Sequence, residues 1–249
     1  MRSDSPHDGE RARDCVNNIH RSCCAGSLLL DKGYIVNYCE DNCIQCIKVA
    51  SEKIVVESEM PAIVHEMAFR LPDIMNSIHN EFGLLDSCIS FTGIFLSDGQ
   101  PRTRLRDPLE GKQIVIVCLN RERIKDRITA FSDLTHECVH ATIPSNIYEG
   151  TLLEEGLATN FSESYLQKKL GVPIGNYCKV PSSYVDAAIS VRWLFRCIPN
   201  PIRKIREKNP GVPVCRFTKE MIIEEIERYR SIDSDDEKLI KKLSRKSPR

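Results

Sequence analysis

The chain has 249 residues, 41% hydrophobic and 28% charged, enough for one sizeable core plus a small appendage. Lys and Arg total 35 and Asp and Glu total 35, so the net charge is zero and makes no general case for nucleic acid or an anionic membrane as partner. No run reaches the ~18–20 apolar residues of a transmembrane helix, and the polar segment Met1 to Glu10 is no signal peptide, so a cytoplasmic location with reduced cysteines is expected.

In chain order, residues 1–10 are expected to be disordered, and a short helix is expected from Glu10 to Ser27. Tyr34 to Tyr38 reads as a strand, and Ile54 to Val56 as a second one. Between them, Cys39, Cys43 and Cys46 are spaced either for a second, structural zinc, with Cys15, Cys23 or Cys24 as fourth ligand, or as three free thiols. Residues 1–60 thus form a cysteine-containing extension, read either as a pro-segment or as a small metal module. Cys88, Cys118, Cys138 and Cys197 lie in apolar runs and are expected to be small core residues.

Pro61 opens an amphipathic helix over 62–82, with Ile63, Met67, Leu71, Ile74, Ile78 and Phe82 on one stripe and Gly83 as its stop. Pro72 predicts a bend or a division of that helix. His65 and His79 lie on it and are expected to be solvated or capped rather than ligands. A strand follows over 88–96. Residues 97–112, rich in Gly, Pro, Arg and Asp, read as a loop that leaves Arg102, Arg104 and Arg106 in solvent. The apolar run from Lys112 to Asn120 is a strand buried on both faces. The strands are expected to form a small sheet lying over the helix that comes next.

That helix, 131–142, carries His136-Glu137-x-x-His140. Imidazoles four residues apart share one helix face and can grip a single Zn²⁺. Glu137 is rotated about 100° away, placed to act as general base on a water rather than as a ligand. Ser132 or Thr129 is the expected N-cap, and Phe131, Leu134, Cys138 and Ala141 form the core stripe. A further helix over 152–170, stopped by Gly171, begins with Leu152-Leu153-Glu154-Glu155-Gly156-Leu157-Ala158-Thr159. Returning antiparallel, it would bring Glu155 beside the two histidines as third ligand, with Gly156 and Ala158 small enough for close helix contact. Helices over 182–198, 202–208 and 219–230 complete the domain, the last capped by Thr218. The charged tail, 231–249, is expected to be solvated.

His136-Glu137-Cys138-Val139-His140 followed by Glu155-Gly156-Leu157-Ala158 resembles the gluzincin metallopeptidases. Tyr184-x-x-x-Ala188 and Val191-Arg192-Trp193-Leu194 are similar to a later helix of the compact members called minigluzincins. The resemblance spans residues 61–230 and implies an α+β, zincin-like fold, a small mixed sheet packed on an active-site helix and followed by a mainly helical half. It implies zinc held by His136, His140 and Glu155, Glu137 as base, Tyr184 reaching the oxyanion, and a protein or peptide substrate paired with an edge strand at 88–96 or 113–119. Many members carry an acid four residues after the ligand glutamate to orient a histidine, and here that position is Thr159, leaving Asn160, Ser162 or a backbone carbonyl for the task. This departure keeps a second reading open, a non-catalytic zinc-binding protein acting as an interaction module.

Overall fold

The computed structural model describes residues 33–37, 45–50, 53–55, 62–83, 89–109, 112–142, 150–173 and 182–247. They form a mixed α+β arrangement. The strands are β1 (Gly33–Asn37), β2 (Gln45–Ala50), β3 (Lys53–Val55), β4 (Ile89–Ser97), β5 (Arg102–Leu109) and β6 (Lys112–Asn120), in the sheet order β3-β2-β1-β4-β6-β5. β4 and β6 run parallel, and the other neighbouring pairs are antiparallel. Helix α1 (Ala62–Phe82) lies between β3 and β4 in the chain. After the sheet come α2 (Arg127–Thr142), α3 (Leu152–Leu170), α4 (Ser182–Cys197), α5 (Pro201–Lys208), α6 (Lys219–Glu227) and α7 (Ser234–Leu243).

The composition of β6 decides the strand order in the β4–β6–β5 part of the sheet. Val115, Ile116, Val117, Cys118 and Leu119 are all buried, so neither face of this strand meets water and it takes an interior place. The chain leaves β4, passes beyond that place to form β5, and returns as β6 between the two. Residues 97–112 are therefore not a loop: most of them form the edge strand. Its Pro108 sits where the β5–β6 register shifts, a position an edge strand tolerates because one side of its backbone needs no partner. The strands expected at the edge, 88–96 or 113–119, are both interior, and β5 is the edge strand at this end of the sheet.

Helix α1 runs unbroken through Pro72. A proline inside a helix costs about 3 kcal/mol, but Val64, Met67, Leu71, Ile74, Met75, Ile78 and Phe82 are buried on one stripe. At about 1.5–3 kcal/mol for each large side chain, that burial outweighs the lost bond. Gly83, at φ +93°, ends the helix as expected.

The tail departs furthest from expectation. Asp233 caps α7 through a capping box with Asp236, whose carboxylate also pairs with Arg230 at 2.7 Å. Ile240 and Leu243 are fully buried against the main core. Beyond the helix, the Leu152 N–H donates to the Arg245 carbonyl at 2.9 Å and the Ser247 N–H to the Gly150 carbonyl at 2.7 Å. The charged stretch is thus a docked helix and a short clasp, because Asp236, Ile240 and Leu243 recur at helical spacing on one inward face beneath the charges. Leu243→Ala is expected to cost about 2–4 kcal/mol in a denaturant titration; a loss below about 0.5 kcal/mol would mean that this helix does not dock.

No helix among the described residues is long and apolar enough to cross a membrane.

Candidate metal centre

Helix α2 starts four residues earlier than the apolar pattern suggests. Asp126, not Ser132 or Thr129, is its cap: its carboxylate accepts from the Thr129 N–H at 2.8 Å and from the Thr129 hydroxyl at 2.6 Å. Arg123, in the turn just before, grips Asp133 with two bonds of 2.7 and 2.8 Å. Phe131, Leu134, Cys138 and Ala141 are fully buried, as the stripe predicts. That burial turns the opposite face, with His136 and His140, toward α3.

Helix α3 divides its two first-turn acids between different tasks. Glu154 closes a capping box with Thr151, its carboxylate accepting from the Thr151 N–H at 2.8 Å. Glu155 points at the histidines. Its Oε2 lies 3.3 Å from His136 Nε2 and 3.4 Å from His140 Nε2, and the two Nε2 atoms are 3.2 Å apart. All three side chains come from buried helix faces, with side-chain exposures of 14%, 19% and 7% for His136, His140 and Glu155.

The donor set can be tested against a metal by simple geometry. A regular tetrahedron with bonds of ~2.0–2.1 Å has donor–donor edges of about 3.3–3.4 Å. The triangle of 3.2, 3.3 and 3.4 Å matches that edge length, so these residues fit an ion of zinc's size. Electrostatics agree. Burial opposes ionisation of Glu155, yet His140 and His136 hold its carboxyl well below the usual carboxylate range. Burial likewise opposes a charge on His140, but the Glu155 carboxylate and its hydrogen bond, with Glu137 behind them, raise that imidazole to about 9. Both shifts have one cause: carboxylates sharing a small buried volume with two imidazoles favour a positive charge at the point where the donors converge. A divalent cation meets the same demand.

Glu137 stands beside this group rather than in it. Burial pushes its carboxyl up, against the pull of His140 and His136 and of a hydrogen bond from Thr103. That bond comes from β5: the Thr103 hydroxyl lies 3.0 Å from Glu137 Oε2 and 2.8 Å from the Glu137 carbonyl oxygen. Tyr184, on the first turn of α4, lays its ring parallel to that of His136, with 6.1 Å between centroids and 12° between planes. All five expected residues, His136, Glu137, His140, Glu155 and Tyr184, thus meet in one place.

Other expectations shift. Gly156 is needed for α4 rather than α2: a Cβ there would lie 2.7 Å from the Ala187 carbonyl oxygen and 2.8 Å from Val191 Cγ2. The Thr159 hydroxyl is buried without a hydrogen-bond partner among the described residues. Neither side chain named in its place serves the histidines. Asn160 accepts from Arg192 at 3.0 Å, and Ser162 is engaged with Ser132 and Thr135 in a buried hydroxyl cluster that joins α2 to α3. Cys118 and Cys138 are buried and unbridged, and burial raises the Cys138 thiol far above the ordinary range, which makes it inert. Cys88 and the second zinc site at Cys39, Cys43 and Cys46 involve side chains outside the described residues.

Thr103 is the functional neighbour that sequence reading missed. The alternation Arg102-Thr103-Arg104-Leu105 carries a period-two strand signal inside a segment whose overall composition suggests a loop. No protein-family model, curated protein or solved structure matches the chain.

Proposed function

We propose that this protein is a zinc-dependent peptidase, on the strength of one observation above all: three donors from two helices converge at tetrahedral edge lengths with a buried, non-ligating carboxylate one residue from the first of them. His136, His140 and Glu155 are the ligands. Zinc bound there supplies a Lewis acid and lowers the pKa of a water toward ~7. Glu137 would accept a proton at its carboxylate from the attacking water and return it to the leaving amine. Its burial beside the ligands, off the metal and within the same site, suits it to that task. Tyr184, stacked beside His136, is the residue to donate to the developing oxyanion. The substrate is an extended protein or peptide segment laid antiparallel along the edge of β5 that no described strand pairs, its backbone using the N–H and C=O groups there. The zincin-like character of the fold belongs to this same reading.

A second reading has its own support. The orphaned Thr159 hydroxyl occupies the position where the gluzincin resemblance implies an acid to orient a histidine. Without that support a scaffold can keep its metal and lose turnover. One experiment separates the two: zinc per chain by elemental analysis, with cleavage-site profiling on denatured protein substrates. The peptidase reading expects one zinc at His136, His140 and Glu155, cleavage that chelation abolishes, and recovery on adding zinc. Bound zinc without any cleavage would establish the binding role instead.

A further inference from the structure

Among the described residues, the side chain of Thr103 links the edge strand β5 to the base Glu137. Thr103 lies on β5 directly opposite Val117 of β6, and Val117 faces the helix core, so the pleat aims Thr103 at α2. From there its hydroxyl reaches two acceptors on one residue, the backbone oxygen and Oε2 of Glu137, at 2.8 and 3.0 Å. Among the described residues this is the one hydrogen bond that the Glu137 carboxylate receives. A glutamate side chain has three torsions and loses substantial rotamer freedom when held, and this carboxylate is buried with a single donor to fix it.

We propose that Thr103 is a positioning residue: its hydroxyl holds the Glu137 carboxylate in its working rotamer and, in the same contact, sets the height of the substrate-binding strand above the base. The inference rests on the peptidase reading for its consequence in turnover, though not for the contact itself. A peptide added to β5 takes its register from that strand's backbone. The backbone oxygen of Glu137 is tied to the same hydroxyl, so strand and base cannot shift independently. Thr103 therefore acts on the chemical step through Glu137 and leaves the metal ligands alone.

The test compares Thr103→Val, which keeps the β-branched shape and removes the donor, with Thr103→Ser, which keeps the hydroxyl. Thr103→Val is expected to lower kcat about tenfold to a hundredfold, the usual effect of losing a hydrogen bond to a charged group. KM and zinc content should stay close to those of the parent, and Thr103→Ser should restore most of kcat. A kcat for Thr103→Val within twofold of the parent overturns the proposal. So does a loss that appears equally in KM or zinc content, or one that Thr103→Ser does not rescue. A parent protein that cleaves nothing would sink the peptidase reading and leave a second measurement to decide this one. Denaturant titrations of Thr103→Val alone and in a Glu137→Ala background read the contact directly. The valine should shift the midpoint in the parent and shift it less where the carboxylate is gone. Equal shifts in both backgrounds would overturn the proposal whether or not the protein turns over.

Discussion

Glutamine in place of Glu137 is expected to lower peptide hydrolysis by about 10²–10⁴-fold, the usual contribution of a positioned general base, while zinc stays bound. The geometry separates the two effects. The ligand atoms belong to His136, His140 and Glu155, and none belongs to Glu137. A glutamine side-chain oxygen can still accept from Thr103, so neither the edge strand nor α2 is released. Removing a buried carboxylate whose ionisation burial opposes should leave the melting temperature unchanged or slightly higher. The measurements are kcat/KM on a peptide substrate and zinc content of the same sample. Turnover within tenfold of the parent would place the base elsewhere. Loss of zinc together with turnover would mean that the substitution had disturbed the cage.

The second large effect is expected at Gly156, and two opposing terms decide its sign. In a helix interior, Gly→Ala ordinarily gains about 1 kcal/mol from backbone entropy. Here the new methyl would sit 2.7 Å from the Ala187 carbonyl oxygen and 2.8 Å from its carbon, and backbone atoms cannot rotate out of the way. Overpacking of that kind costs about 1–3 kcal/mol, so Gly156→Ala should lower stability despite the better helix former. Function should suffer more than stability. Glu155 is the adjacent residue, and Tyr184 lies one turn before Ala187 and Ala188 on the helix that would be pushed away. A displacement of about 1 Å at a reacting centre can cost on the order of 100-fold in rate. Denaturation and kcat/KM on the same variant would check this. A more stable and fully active Gly156→Ala protein would show that α4 adjusts freely and that its spacing from α3 is not demanding.

The pairing of His136 and His140 was legible in the sequence because their spacing is itself the geometry: residues four apart on a helix share a face. Glu155 was legible through its neighbours, since an acid pair followed by a glycine opens the next helix along the chain, and that helix does bring Glu155 to the two histidines. What escaped depends on contacts between segments distant in the chain. The edge strand β5 has the composition of a loop, because a strand at the border of a sheet can carry arginines and a proline at its irregular end. Thr103 becomes a partner of Glu137 only when that strand is folded over α2. The close approach at Gly156 was foreseen as a property of the residue but given the wrong neighbour, α2 instead of α4, because nothing local to residues 152–159 says which helix lies on which side. In the tail, three inward positions on α7 were masked by the density of charge around them.

The clasp of residues 245–247 on residues 150–152 bears on when the site comes into being. Glu155 sits within one turn of a backbone pairing whose other half, residues 245–247, lies far downstream of both site helices in the chain. During synthesis, at roughly 5–20 residues per second, the histidine helix and the glutamate helix leave the ribosome well before the segment that fastens the start of the latter. For those seconds a growing chain carries all three donors without the tie at 245–247, and it is expected to hold a metal more weakly than a chain that has made it. A polypeptide interrupted before residue 245 would keep its zinc-binding motif and yet be a poor zinc protein.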